Sequence, residues 1–294
     1  MTDQGIGSDR GAGLIKRSVR RIVPGMGIRP MPPEGIPDTG AETKTGGAEI
    51  LVARSLTKVY PDASRPALDG FSISVCEGEI FGLLGPNGAG KTTAISILSS
   101  LMRPTGGTVE VCGMDAGRDT RGVRALIGLV PQDIALYPTL TARENLRYFG
   151  RLYGLKGRTL EERIAECLAL VGLTEKGNQR VSTYSGGMQR RANLAAGLLH
   201  APKLLFLDEP TVGIDPQSRA FILEELSQLR QHGTTMIYTT HYMEEAEWLC
   251  TRILVLDEGR TLAQGQPRDL IAAAPGCGNI EDLFFTLTGK RFRD

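Results

Sequence analysis

No charge of either sign dominates this chain. Its 34 Lys and Arg face 33 Asp and Glu, a formal net charge of +1. That balance argues against a general nucleic-acid binder, although a local basic patch stays open. Cysteine is scarce and unpatterned. Cys76, Cys112, Cys167, Cys250 and Cys277 are widely spaced, odd in number and form no Cys-x-x-Cys pair. Reduced core thiols are therefore expected rather than a metal or disulfide framework. No apolar run approaches the ~18–20 residues that span a bilayer, and the N-terminus lacks the apolar segment of a secretory signal. The chain is expected to be soluble by itself and to serve a membrane only through a partner. There is no internal repeat and no long heptad run.

What is present is uneven. Residues 1–48 are rich in Gly and Pro, and PGMGIRPMPPEGIPD has no usable periodicity. Such a segment buries too little apolar surface to offset its chain entropy, so a disordered extension is expected there. Lys16, Arg17, Arg20 and Arg21 form a small basic cluster within it, read as a solvated tail, with anionic lipid or RNA as the other possible contact. From 49 to 294 the pattern is that of a folded domain, with 41% of the whole chain apolar. Ile50–Val52, Phe71–Val75, Ile80–Leu84 and Val109–Cys112 are short β-branched or aromatic runs bounded by breakers, which predicts strands. Lys203–Leu207, Thr235–Thr239 and Ile253–Leu256 are nearly continuous apolar strands, as a parallel sheet covered on both faces requires. Ser218–Leu229 has helical spacing. Alternation of this kind predicts a three-layer α/β core. From about 140 to 200 the alternation stops. Thr141-Ala142-Arg143-Glu144 is a capping box opening a helix to about Tyr153. Helices from about Leu160 to Val171 and Met188 to His200 follow, which predicts a helical insertion.

Chemistry concentrates at Gly85-Pro86-Asn87-Gly88-Ala89-Gly90-Lys91-Thr92-Thr93, which satisfies G-x-x-x-x-G-K-[ST]. Glycines let backbone N–H groups converge on phosphate oxygens, and a helix beginning near Lys91 adds its dipole and free amides. Lys91 is suited to neutralise β- and γ-phosphates, and Thr92 to ligate Mg²⁺. A glycine-rich turn could share this composition, but the placement between an apolar strand and a helical run points to nucleotide. Lys203-Leu204-Leu205-Phe206-Leu207-Asp208-Glu209-Pro210 then ends a strand in two acids. Asp208 is suited to hold Mg²⁺ through water and Glu209 to polarise the attacking water.

These motifs occur in one order with Gln132 in Val130-Pro131-Gln132-Asp133, with Tyr184-Ser185-Gly186-Gly187-Met188-Gln189, with Gly213-Ile214-Asp215-Pro216 and with Thr240-His241. In that order and spacing the chain resembles the nucleotide-binding subunit of ATP-binding cassette (ABC) transporters, from about Ile50 to Gly289. The resemblance implies a phosphate-loop NTPase core with an antiparallel β subdomain and a helical insertion, and ATP and Mg²⁺ as ligands. It implies that Tyr60 stacks on adenine, that Gln132 contacts Mg²⁺ and the attacking water, and that His241 contacts the γ-phosphate, with Glu209 as general base. Ser185, Gly186 and Gly187, expected just before the helix from Met188, would form a second anion cradle. In the family that cradle closes on nucleotide held by another copy, across an interface that Asp215 also crosses. A homodimer of this subunit and a separate integral-membrane permease are therefore the implied partners, with no nucleic acid. The implied location is the cytoplasmic face of a bacterial inner membrane. The loop from Asp133 to Leu146, with Ile134, Leu136, Tyr137 and Leu140, is expected to border the groove that receives the permease.

Two departures accompany the resemblance. Tyr184 and Met188 stand where the commonest signature has Leu and Gln, and Val212-Gly213-Ile214-Asp215 replaces Ser-Ala-Leu-Asp. Both variants, with Thr240–Glu247 and Ile280–Gly289, resemble the exporter branch that moves drugs, polysaccharide or lipid-linked substrates. The function implied is ATP hydrolysis driving export. The alternative is a non-transporter ABC-type ATPase of translation or DNA repair. Translation types usually carry two cassettes per chain, and repair types a very long coiled coil.

Overall fold

The structure, a computed structural model, describes residues 47–61 and 63–289. The proposed disordered extension, except for its last two residues, and the basic cluster lie outside the described residues.

Two sheets organise the chain. The strands β1 (Glu49–Lys58), β2 (Leu68–Cys76), β4 (Gly106–Val111) and β5 (Met114–Asp115) form an antiparallel sheet in the order β2-β1-β4-β5. The strands β3 (Ile80–Leu84), β6 (Ile127–Val130), β7 (Leu204–Asp208), β8 (Thr235–Thr240), β9 (Arg252–Asp257) and β10 (Arg260–Gly265) form the second, in the order β10-β9-β3-β8-β7-β6. All of its pairings are parallel except the β9–β10 hairpin.

Why β3 and β7 read as unbroken apolar runs is now plain: every residue in both is buried. Ile80, Leu84, Leu205 and Leu207 join one hydrophobic core, while Phe81, Leu83, Leu204 and Phe206 join a second on the opposite face. The three-layer expectation holds with one amendment. The second face is covered by α1 (Lys91–Leu98) together with the antiparallel sheet, so one layer is largely β. The first face carries α3 (Ala142–Leu152), α4 (Gly157–Leu170), α5 (Gly186–Leu198), α6 (Pro216–Gln231) and α7 (Met243–Leu249). The helix α2 (Thr120–Leu126) precedes β6, and α8 (Pro267–Ala273) and α9 (Ile280–Thr288) follow the hairpin.

Within the expected insertion, the capping box forms as read. Thr141 Oγ1 accepts the Glu144 N–H at 3.1 Å, and Glu144 accepts the Thr141 N–H at 2.8 Å. The third helix differs from expectation in two ways. It begins at Gly186 rather than Met188, because Ser185 caps it by accepting the Met188 N–H. It also belongs as much to the core as to the insertion. Gly197 lies against Val130 and Leu205, and a Cβ on Gly128 would strike the Gly197 carbonyl.

Candidate nucleotide site

Three strands end side by side and deliver the site. β3 runs into the glycine loop, β7 into Asp208 and Glu209, and β8 into His241. The registers Leu84 with Thr240 and Asp208 with Thr239 bring these ends together at the C-terminal edge of the parallel sheet.

The loop between β3 and α1 is packed from beneath by the protein itself. A Cβ on Gly85 would meet the Leu256 carbonyl, and one on Gly90 would meet the Ala67 carbonyl. Gly90 also has φ 110° and caps α1, and no side chain takes up the helix's first amides. The glycines at 85 and 90 are thus fixed by backbone approach from β9 and the β1–β2 connection, a reason additional to access for phosphate. Lys91 is buried and donates to the Gly85 and Pro86 carbonyls at 2.8 and 3.2 Å. Its Nζ also stands 3.3 Å from Glu209 Oε1.

Glu209 is buried with φ 47°, a left-handed conformation uncommon outside glycine. Its N–H donates to Thr239 Oγ1 at 2.9 Å, and Thr239 Oγ1 donates to Asp208 Oδ1 at 2.7 Å. The other Glu209 oxygen lies 3.1 Å from His241 Nδ1. Burial pushes the Asp208 carboxyl above its ordinary range; the Thr239 hydroxyl opposes that shift, Glu209 adds to it, and Lys91 and the Thr92 hydroxyl oppose it further. Oxygen donors from Thr92 and Asp208 suit a hard divalent cation that takes its remaining ligands from phosphate and water. Among the described residues no cluster of three or more His, Cys, Asp or Glu could hold a metal by itself.

Tyr60, just past β1, reaches the same loop. Its hydroxyl lies 3.3 Å from Thr93 Oγ1 and donates to Met102 Sδ at 3.5 Å, and the residue is exposed. Lys91, Thr92, Thr93, Asp208, Glu209, His241 and Tyr60 are therefore brought together. The side chain of Gln132 is not joined to them by any hydrogen bond among the described residues; the residue is exposed, and its backbone carbonyl accepts from Arg190 Nη1.

Ser185, Gly186 and Asp215 lie elsewhere. All three are exposed, and no hydrogen bond or ion pair among the described residues links them to the phosphate loop. Asp215 caps α6 by accepting the Ser218 N–H at 2.9 Å, and the Ser218 hydroxyl, with that N–H second, holds its carboxyl below the usual range. Gly187 is buried under the same turn, where a Cβ would collide with the Ser218 side chain. The signature turn and the Asp215 turn thus form one surface.

Arg190 belongs to none of the sequence motifs. From α5 it donates to the Gln132 carbonyl and to the Val212 carbonyl, the latter at 3.1 Å, tying together the loops after β6 and β7. Its only advance signal was its place three residues after the glycine pair.

A family model described as ABC transporter matches residues 68–212. Over 227 residues the chain is 50% identical to the linearmycin resistance ATP-binding protein LnrL of Bacillus subtilis (strain 168), covering 77% of this chain and 72% of that protein. This chain belongs to the ABC transporter family. It is 50% identical over 218 residues to the daunorubicin resistance ATP-binding protein DrrA2 of Streptomyces coeruleorubidus, covering 74% of this chain and 67% of the relative. It is 46% identical over 217 residues to the Nod factor export ATP-binding protein I of Paraburkholderia xenovorans (strain LB400), covering 74% and 71%. Among solved structures, an ATP-binding subunit of an ABC transporter superposes with a TM-score of 0.74 at 28% identity, over 81% of this chain and 99% of that one. The dimeric post-hydrolysis cassette MJ0796 bound to ADP and Pi superposes with a TM-score of 0.68 at 28% identity, over 74% and 98%. The ABC ATPase is therefore the cassette its motifs indicated, an ATP-hydrolysing transporter subunit with relatives on the exporter side of the family. Those relatives favour the transporter reading over the translation or repair alternative.

Proposed function

We propose that two copies of this ABC ATPase clasp ATP between them and drive export through a separate membrane permease. One observation carries the reading. Lys91, Asp208, Glu209 and His241 converge at one sheet edge, whereas the Ser185 turn, a second amide-rich helix start, stands exposed and apart. A head-to-tail pair lets each copy lend that turn to the phosphate held by its twin. Tyr60 stacks on the base. Lys91, Thr93 and the backbone N–H groups of Gly85 and of Asn87 through Thr92 hold the phosphates, while Pro86, which has no N–H to donate, shapes the loop. Glu209 takes the proton from water, with His241 keeping its carboxyl oriented. Thr92 and Asp208, joined by Gln132, would hold Mg²⁺, which supplies neutralisation of phosphate charge when bound. Asp215 faces across the interface.

A groove of about 540 Å³ opens between the core and the insertion, lined by Leu101, Arg124, Phe149, Leu152, Tyr153 and Asn193 among others. It is mostly apolar and suits a short helix from the permease. Of the loop residues expected there, Leu136 is buried and Ile134 packs on the core, while Tyr137 is exposed and meets Tyr148 edge-on at 5.3 Å. Among the described residues no helix is long and apolar enough to cross a membrane. In this reading the chain acts from the cytoplasmic face of a bacterial inner membrane, held by its permease.

The test is Glu209→Gln at saturating Mg-ATP. Hydrolysis should fall ~10²- to 10⁴-fold, the usual weight of a general base, and a dimer should accumulate in light scattering. Turnover near the wild-type rate removes Glu209 from that role. A chain that stays monomeric removes the clasp.

A further inference from the structure

Behind the Glu209–His241 contact lies a buried carboxyl group that hydrolysis, as described, does not use. Glu245 stands in the first turn of α7 and is 4% exposed. Its Oε2 accepts from three hydroxyls: Tyr238 at 2.6 Å, Thr240 at 2.9 Å and Thr211 at 3.0 Å. Each donor comes from a segment that carries the site. Thr240 immediately precedes His241, and Thr211 follows Glu209 by two residues. The Thr240 hydroxyl also accepts the Tyr242 N–H at 2.9 Å, closing a turn around His241. With its proton given to Glu245, that hydroxyl has one orientation. Burial and the adjoining Glu245 push the Tyr238 phenol well up, so Tyr238 also remains a donor.

The second oxygen, Oε1, is buried without a hydrogen bond and lies 3.5 Å from Arg219 Nε, which also lacks one. The Arg219 guanidinium packs 4.2 Å from the Tyr242 ring centre. Arg219 sits on α6, the helix that Asp215 caps. A carboxyl group this deep is costly to retain unless donors match it. Here the donors come from both strand ends that deliver the hydrolytic pair, with a cation from the Asp215 helix beside them.

We propose that Glu245 is a positioning residue for hydrolysis, holding the His241 turn through Thr240 and the loop after Glu209 through Thr211. The inference rests on the reading of Glu209 and His241 as the hydrolytic pair. Side chains just past the ends of two different strands keep their 3.1 Å contact because one carboxyl group fixes the backbone next to both. Tyr60 and the glycine loop lie outside this network, so it acts on turnover and not on nucleotide capture.

The experiment is steady-state Mg-ATP hydrolysis by the full chain, with thermal melting as the fold control, for Glu245→Gln, Glu245→Ala, Thr240→Val, the Glu245→Gln/Thr240→Val double variant and Glu209→Gln. Glu245→Gln should lower kcat about tenfold and Glu245→Ala about a hundredfold, as small misplacements of reacting groups do. KM for ATP should stay within about twofold, since the loss is confined to the transition state. Thr240→Val should match Glu245→Gln. The double variant should be no slower than the slower single, because both break one link. Full kcat in folded Glu245 variants overturns the proposal. So do multiplying effects in the double variant, or KM rising with the fall in kcat. If Glu245→Ala does not fold, the near-isosteric Gln variant and Thr240→Val decide. A Glu209→Gln protein with wild-type turnover instead overturns the underlying site, whatever the Glu245 variants do.

Discussion

Glu225 on α6 shows how one side chain sets a pH dependence for the whole ABC ATPase. It is 3% exposed, and burial, helped by Glu224, pushes its carboxyl from 4.5 up to about 7. A carboxyl raised by folding favours the folded state while protonated. That advantage is fully present below the ordinary value of 4.5 and is lost as pH climbs through about 7. Glu225→Gln should therefore match the wild type near pH 5 and exceed it near pH 8, by up to roughly 3 kcal/mol. Melting curves across that range check this; a difference that does not change with pH removes Glu225 as its source. At this same scale the motif residues were legible in the sequence, because Lys91, Asp208, Glu209 and His241 each follow an apolar strand at fixed spacing. The Glu245 network was not. Thr211, Tyr238, Thr240 and Glu245 are ordinary residues until β7, β8 and α7 pack together, and no local pattern announces that three hydroxyls share one oxygen.

Among the elements, those with a single strong signal were legible and those shaped by tertiary packing were not. β3, β7 and β8 are buried on both faces and read as apolar runs. β6 is four residues with a glycine in it, and β5 only two, too short to carry a period. β10, Arg260–Gly265, has no buried residue and exists by pairing with β9. β1 shows only three residues, Ile50–Val52, as a strand pattern but runs for ten, through register shifts and Ser55 at φ 48°, where alternation breaks. α5 begins earlier than its glycines suggest, because the Ser185 cap outweighs their poor helix propensity. The same junction yields a prediction. Gly187→Ala places a methyl group against Ser218 and should push α5 from the start of α6, costing about 1–3 kcal/mol as overpacking does. Ser218→Gly in the same chain should restore much of the melting temperature. No restoration would mean the glycine is needed for another reason.

For the molecule as a whole, the proposed docking groove between core and insertion has a lining distinct from the residues of the nucleotide site. Leu152 is 66% exposed on its rim, so a charge there leaves the core untouched. Leu152→Asp should abolish co-purification with the permease and ATP-driven transport while the isolated chain binds Mg-ATP as before. Retained transport would move the docking site elsewhere. The family resemblance made such a groove expected, but its lining was not legible, since Leu101, Arg124 and Tyr153 come from three distant parts of the chain.

In the proposed pair, the exposed Ser185 turn of each copy completes the site of the other. A catalyst whose two halves sit on separate molecules answers to encounter frequency, and dilute copies would meet seldom. A permease that tethers two copies side by side raises their local concentration to the order of millimolar. Assembly on the membrane would then serve as the throttle, leaving unattached copies nearly idle and sparing the cell futile ATP consumption.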